Sequence, residues 1–192
     1  CENNTISFQY QVLPILVANC AYSGCHSTAS HKDGVIMDNY AKVRKKVKPG
    51  NPSGSKLYKT ITEDSNDDDL MPVPPADRLT SAQVSIIKKW IQQGADDTDC
   101  RVPCNSDNTS FSDNIAPLIK DYCYGCHQAD NTQGGINLSD YDHIRTFAAN
   151  GKLLGTIKHT TGYSAMPIAG KKMTDCQIAT IQNWIIEGAQ NN

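Results

Sequence analysis

Cys123-Tyr124-Gly125-Cys126-His127 sets two thiols three positions apart, with an imidazole directly after the second. That order is the attachment signature of a c-type haem: the thiols add to the two porphyrin vinyl groups as thioethers, and the histidine binds iron from one face. About half a chain earlier, Cys20-Ala21-Tyr22-Ser23-Gly24-Cys25-His26 repeats the ingredients with two more residues between the cysteines. Zinc is the rival metal for this longer copy, because Cys20, Cys25, His26 and His31 nominally make four ligands. Adjacent Cys25 and His26 are poorly spaced to share one tetrahedral ion, however, and the second copy has Thr132 where His31 would recur. Haem is therefore the expectation for both motifs, with Cys20, Cys25, Cys123 and Cys126 as anchors and His26 and His127 as proximal ligands.

Iron held by one histidine needs a second axial ligand or an open face, and the identity of that ligand sets the redox potential. Each copy offers one Met-Pro: Met71-Pro72, 45 residues after His26, and Met166-Pro167, 39 after His127. The acidic run Glu63-Asp-Ser-Asn-Asp-Asp-Asp69 accounts for the longer spacing, and it reads as a solvated loop or as a docking surface for a basic partner. Met37 aligns with Leu138 and Met173 with Leu79, which marks those two as core side chains, the usual fate of Met. Met71 and Met166 align with each other and are the expected distal ligands. His31, His143 and His159 do not recur between copies and read as surface groups, although His159 lies close enough to Met166 in sequence to compete with it.

The elements that must position these residues are themselves duplicated. Ser7-Phe8 and Pro14 recur as Ser110-Phe111 and Pro117, at an offset of 103; Gly34 to Tyr40 matches Gly135 to Tyr141 at 101; Leu79-Thr80 and Trp90-Ile91 match Met173-Thr174 and Trp184-Ile185 at 94. Two domains of about 95 residues follow, 1–99 and 104–192, joined at 100–103. Short helices are predicted around Leu13 to Asn19 and Ile115 to Tyr122, with Pro14 and Pro117 in the first turn, where a missing N–H costs nothing. A basic helix is predicted from Tyr40 to Pro49-Gly50. Thr80-x-x-Gln83 and Thr174-x-x-Gln177 are capping boxes that open a last helix in each copy, closed by Gly94 and Gly188. Val84, Ile87 and Ile91, like Ile178, Ile181 and Ile185, share one helical face. No convincing strand alternation is present. Trp90 and Trp184 fall on the buried face, the commoner place for an aromatic than a transfer path.

Composition excludes several functions. The 192 residues are 39% hydrophobic and 20% charged with a formal charge of −2, so no basic footprint points to nucleic acid. The longest apolar run, Leu13 to Ala18, falls far short of the ~20 residues that span a bilayer. Cys1, Cys100, Cys104 and Cys176 lie outside the haem motifs; an oxidising compartment would pair them, and a bond from Cys104 to Cys176 would pin the second domain's first segment to its last helix. Cys1 has two readings of equal weight. It resembles the lipid-bearing cysteine of a bacterial lipoprotein, which would attach the chain to a membrane, and it also aligns with Cys104 as a structural cysteine. Both suit an extracytoplasmic location, in the periplasm or at the cell surface.

Taken together, the pattern Pro-x-Leu, Cys-His, Gly-x5-Tyr, Met-Pro, Leu/Met-Thr-x-x-Gln and Trp-Ile-x-x-Gly-Ala, which covers nearly all of both copies, resembles a tandem of small class I c-type cytochrome domains of the kind found in exported cytochromes of Bacteroidetes and Planctomycetes. The resemblance implies an all-α fold, two tandem cytochrome c-like domains each wrapped around one covalent haem, two haem c groups in all, His/Met ligation by His26 with Met71 and His127 with Met166, and electron transfer between redox partner proteins rather than catalysis. A dihaem peroxidase is the enzymatic alternative, weakened by a Met-Pro in both copies. A third reading is a subunit of a larger redox complex or filament.

Overall fold

The computed structural model describes residues 4–74, 76–100, 105–107, 109–129, 131–168 and 172–192. The chain divides into two compact units, Cys1–Val102 and Pro103–Asn192, each mostly helical. Unit 1 contains α1 (Leu13–Asn19), α2 (Tyr40–Val43), α3 (Lys56–Thr62) and α4 (Ser81–Gln92). Unit 2 contains α5 (Ala116–Tyr122), α6 (Tyr141–Ala149), α7 (Lys152–Lys158) and α8 (Asp175–Ile186). The strands among the described residues are the short pair β1 (His127–Gln128) and β2 (Asn131–Thr132), antiparallel with His127 opposite Thr132.

The same contacts build both units. A π-helical turn, Phe8–Val12 or Phe111–Ile115, leads into α1 or α5, and its N-cap serine, Ser7 or Ser110, accepts from the N–H of Tyr10 or Asp113. Phe8 and Phe111 then reach the core, where Phe8 meets Tyr40 edge-on at 5.2 Å and Trp90 at 5.1 Å. Phe111 meets Tyr141 at 5.0 Å and Trp184 at 5.7 Å. Edge-on and tilted aromatic pairs stabilise beyond their buried area by about 0.5–1.5 kcal/mol each. The Tyr40 hydroxyl donates to the Ala95 carbonyl at 3.1 Å, and Tyr141 to Ala189 at 2.7 Å. Trp90 and Trp184, each 1% exposed, donate Nε1–H to the carbonyls of Asp96 and Gln190. The first segment of each unit is also tied to its last one: Phe8 N–H donates to Thr98 Oγ1 and Phe111 N–H to Asn192 Oδ1, at 2.7 and 2.8 Å.

Helices α4 and α8 open on the expected capping boxes, with Thr80 and Thr174 accepting from Gln83 and Gln177 while the glutamine side chains return to the threonine N–H. Ile87 and Ile91, and Ile178 and Ile181, are buried. The predicted basic helix is shorter than expected: α2 gives way to a 3₁₀ turn, Arg44–Lys46, and Val47 is extended. Like charges four apart, Lys42 with Lys46 and Arg44 with Lys48, disfavour its continuation, and Pro49 biases Lys48 away from helix. Its counterpart α6 carries no such run and continues to Ala149. Helices α3 and α7 and the β1–β2 pair go beyond the sequence expectation.

Candidate functional site

Each Cys-His motif hangs from the C-terminus of a short helix. In unit 1 the N–H groups of Cys20 and Ala21 both donate to the Leu16 carbonyl, at 2.8 and 3.1 Å; in unit 2 those of Cys123 and Tyr124 both donate to Ile119, at 2.8 and 3.0 Å. Beyond the second cysteine the frames coincide again. Lys32 N–H donates to Cys25 and Gln133 N–H to Cys126, while Met37 N–H reaches the His26 carbonyl and Leu138 N–H that of His127. The two extra residues of the longer motif are absorbed between these points, where Ser23 and Gly24 are exposed and Gly24 takes φ +84°, a region open to glycine at no steric cost.

The thiols of Cys20, Cys25, Cys123 and Cys126 are free. Burial pushes the Cys20 and Cys123 thiols up to about 12, and the neighbouring Cys25 or Cys126 adds to the shift. Burial also raises Cys126. Cys100 and Cys176 are not free thiols; Cys1 and Cys104, and with them the proposed lipid and the Cys104 pairing, lie outside the described residues.

The two imidazoles are set differently. His26 is half-buried, and its Nδ1 lies 3.1 Å from the Lys32 carbonyl. A carbonyl only accepts, so this contact places the proton on Nδ1 and leaves the Nε2 lone pair free to bind a metal. His127 is 8% exposed, and among the described residues no hydrogen bond of ordinary geometry reaches its buried Nδ1. Burial lowers its pKa, ahead of the opposing pull of the Gln133 and Ile136 carbonyls, and so favours the neutral ring that ligates metals.

The methionines separate as the repeat implied. Met37 and Met173 are buried in the two cores, as are Leu138 and Leu79. Met71 and Met166 are half-buried. Both Met-Pro bonds are cis. Met71 N–H donates to the Thr60 carbonyl in α3 at 2.8 Å, and Met166 N–H to Thr156 in α7 at 3.2 Å. The thiols and imidazole of each unit are thus carried by one helix and the methionine by another. Sequence reasoning missed α3 and α7 as the methionine's supports. The signal was present in Lys56-Leu57-x-x-Thr60-Ile61, which recurs as Lys152-Leu153-x-x-Thr156-Ile157 with all four aliphatic side chains buried.

The remaining histidines have local roles. His31 is exposed, with Nδ1 3.3 Å from the Thr28 carbonyl. His143 Nδ1 contacts the carboxylate of Asp140, the α6 N-cap, at 2.7 Å. His159 Nε2 faces the Met166 carbonyl at 3.0 Å. The acidic residues 64–69 are exposed. Among the described residues no three His, Cys, Asp or Glu side chains come together as a metal-ion site, so Cys20, Cys25, His26 and His31 are not assembled as a zinc tetrahedron. What each unit presents is a thiol pair, one imidazole and one thioether. No described helix is long and apolar enough to cross a membrane. In comparisons with known proteins, no family model, no curated protein and no solved structure matches the chain.

Proposed function

We propose that the chain is a dihaem c-type cytochrome that carries electrons outside the cytoplasmic membrane and is not itself an enzyme. The observation that carries this reading is the repeated donor set. Two units with motifs of different length hold a free cysteine pair and a histidine in the same backbone frame, and tie a Met-Pro segment to the same turn of an equivalent helix. Selection for packing alone gives no reason to keep both a paired thiol and a half-buried thioether in each copy.

In this reading each unit is a small cytochrome c-like domain. Cys20 and Cys25, and Cys123 and Cys126, would hold the haems by adding across their vinyl groups, each sulfur bonding one vinyl carbon and each thiol hydrogen passing to the other. His26 and His127 would present ring nitrogens to the iron, the first oriented by the Lys32 carbonyl. Met71 and Met166 complete the ligand sets with soft sulfur, which favours reduced iron and a higher potential than a second histidine would give. Bound haem would supply the redox couple. With a histidine and a methionine of this chain holding the iron in each unit, that couple would serve electron exchange between redox partner proteins, as a free shuttle or as a subunit of a larger assembly. A disulfide joining Cys104 to Cys176 and either a lipid or a disulfide at Cys1 complete the extracytoplasmic picture.

Intact mass under denaturing conditions tests the reading, because thioether-linked haem survives unfolding. Chain produced in a host with haem-attachment machinery should carry two haems and show a c-type visible spectrum. One haem would sink the symmetric scheme, and none would sink the proposal; the same measurement reports an N-terminal lipid.

A further inference from the structure

The Met166 peptide is gripped at both polar ends by the last turn of α7. Its N–H donates to the Thr156 carbonyl and its carbonyl accepts from His159 Nε2; since the carbonyl has no proton to offer, Nε2 must be the donor. His159 is well placed to do this. It is the residue that closes α7, in a left-handed conformation (φ 58°, ψ 40°) with its own N–H returned to Gly155 and Thr156, so its side chain leaves from a fixed point. The intervening loop lies down on the same helix: Tyr163 covers Gly155 so closely that a Cβ there would sit 2.6 Å from the ring.

Unit 1 supports its methionine differently. Met71 keeps the bond to Thr60, but the register that equates Thr60 with Thr156 puts Glu63 opposite His159. An ionised carboxylate cannot donate, and the Glu63 carbonyl instead receives Arg78 Nη2 at 2.6 Å. We propose that His159 is a positioning residue, present in unit 2 and replaced by a non-donor in unit 1, that clamps the Met166 peptide to α7 and thereby fixes where the Met166 sulfur sits. The statement about sulfur rests on the proposed ligation; the clamp itself does not.

The test compares His159→Ala with His159→Gln in the full haem-loaded chain, since a glutamine amide can donate to the same carbonyl. Two readouts are taken: hydrogen exchange of the Met166 amide, and the imidazole concentration that displaces the sulfur-to-iron charge-transfer band. His159→Ala should speed Met166 exchange about tenfold, the shift expected when one hydrogen bond stops holding a loop closed. It should lower the displacing imidazole concentration for one of the two centres by a similar factor, and His159→Gln should restore most of both. Unchanged exchange in His159→Ala overturns the clamp, as does failure of glutamine to rescue. If the parent chain carries haem but shows no thioether band, the ligand assignment fails instead, and the exchange comparison still decides the clamp.

Discussion

Raising the pH should unfold the haem-free chain through two thiols, one in each unit. Burial lifts Cys20 from 9.0 to about 12, with Cys25 adding to the shift, and Cys123 behaves in the same way beside Cys126. Cys20 is only 8% exposed. A folded state that holds its proton more tightly than the unfolded chain keeps the full benefit below the unfolded pKa. It loses that benefit as pH climbs toward the folded one. The window therefore runs from about pH 9 to about pH 12. At ~1.4 kcal/mol per pH unit, each thiol removes ~2 kcal/mol by about pH 10.5 and ~4 kcal/mol by the end. Against the ~5–15 kcal/mol that holds a typical domain, either loss is large. Urea unfolding of the haem-free protein, kept anaerobic, at about pH 7.5 and about pH 10.5 measures it. Lysines and tyrosines titrate in the same range, so the informative quantity is the difference between parent and Cys20→Ala. The parent should lose ~2 kcal/mol more than the variant in unit 1 and no more in unit 2. Equal losses would refute the argument that the Cys20 thiol is held out of water. Haem attachment, if it occurs as proposed, turns both thiols into thioethers and should abolish the effect.

Two further outcomes test repeated contacts and a third tests one found in unit 2. Tyr40→Phe and Tyr141→Phe each delete a hydroxyl that donates to a backbone carbonyl and should cost ~1 kcal/mol apiece by denaturant titration, each within its own unit. Thr80→Ala and Thr174→Ala remove half of a capping box and should cost ~1 kcal/mol each, while serine at either position should retain most of it. Gly155→Ala should pull two readouts in opposite directions: α7 gains up to ~1 kcal/mol of helix propensity, yet the new Cβ expels the Tyr163 ring, so Tyr163 resonances should lose their ring-packing shifts while α7 amides become better protected.

The sequence made the last helices legible because two independent signals agree there, a capping box and an apolar face, and the structure has both in α4 and α8. The aromatic trio was half legible: the repeat matched Phe8, Tyr40 and Trp90 with Phe111, Tyr141 and Trp184, but nothing in a single sequence says that they touch. Helices α3 and α7 escaped because each is one short stretch of seven residues whose N-cap residue makes no side-chain cap bond and whose first turn lacks the proline that marks α1 and α5, and tertiary packing rather than propensity holds helices that short. The β1–β2 pair is too brief to show alternation. Among donors, comparison of copies separated Met37 and Met173 from Met71 and Met166. The partners that orient the donors are mostly backbone carbonyls, Lys32, Thr60 and Thr156, and a carbonyl leaves no trace in residue type.

The stretched motif differs from its twin in spacing but shares its backbone hydrogen-bond frame. Counted along the chain, Cys20 to Cys25 departs from Cys123 to Cys126 by two residues, which ought to move one thiol relative to the imidazole. Counted along the backbone hydrogen bonds, the frame on either side of the loop is the same. Leu16 fixes the backbone of Cys20 as Ile119 fixes that of Cys123, and the bonds from Lys32 and Met37 fix Cys25 and His26 as those from Gln133 and Leu138 fix Cys126 and His127. The His26 N–H closes the longer loop on the Cys20 carbonyl at 2.9 Å, and His127 N–H closes the shorter one on Cys123 at 3.2 Å. The surplus is carried outward by Ser23 and Gly24, where the left-handed glycine turns the chain back toward Cys25. Deleting Ser23 and Gly24 should therefore leave the frame on both sides intact, whereas an insertion of the same length between Cys25 and Lys32 would break the Lys32 bonds to both Cys25 and His26. The backbone frame depends on those two anchored ends, and the loop between them takes up the difference in length.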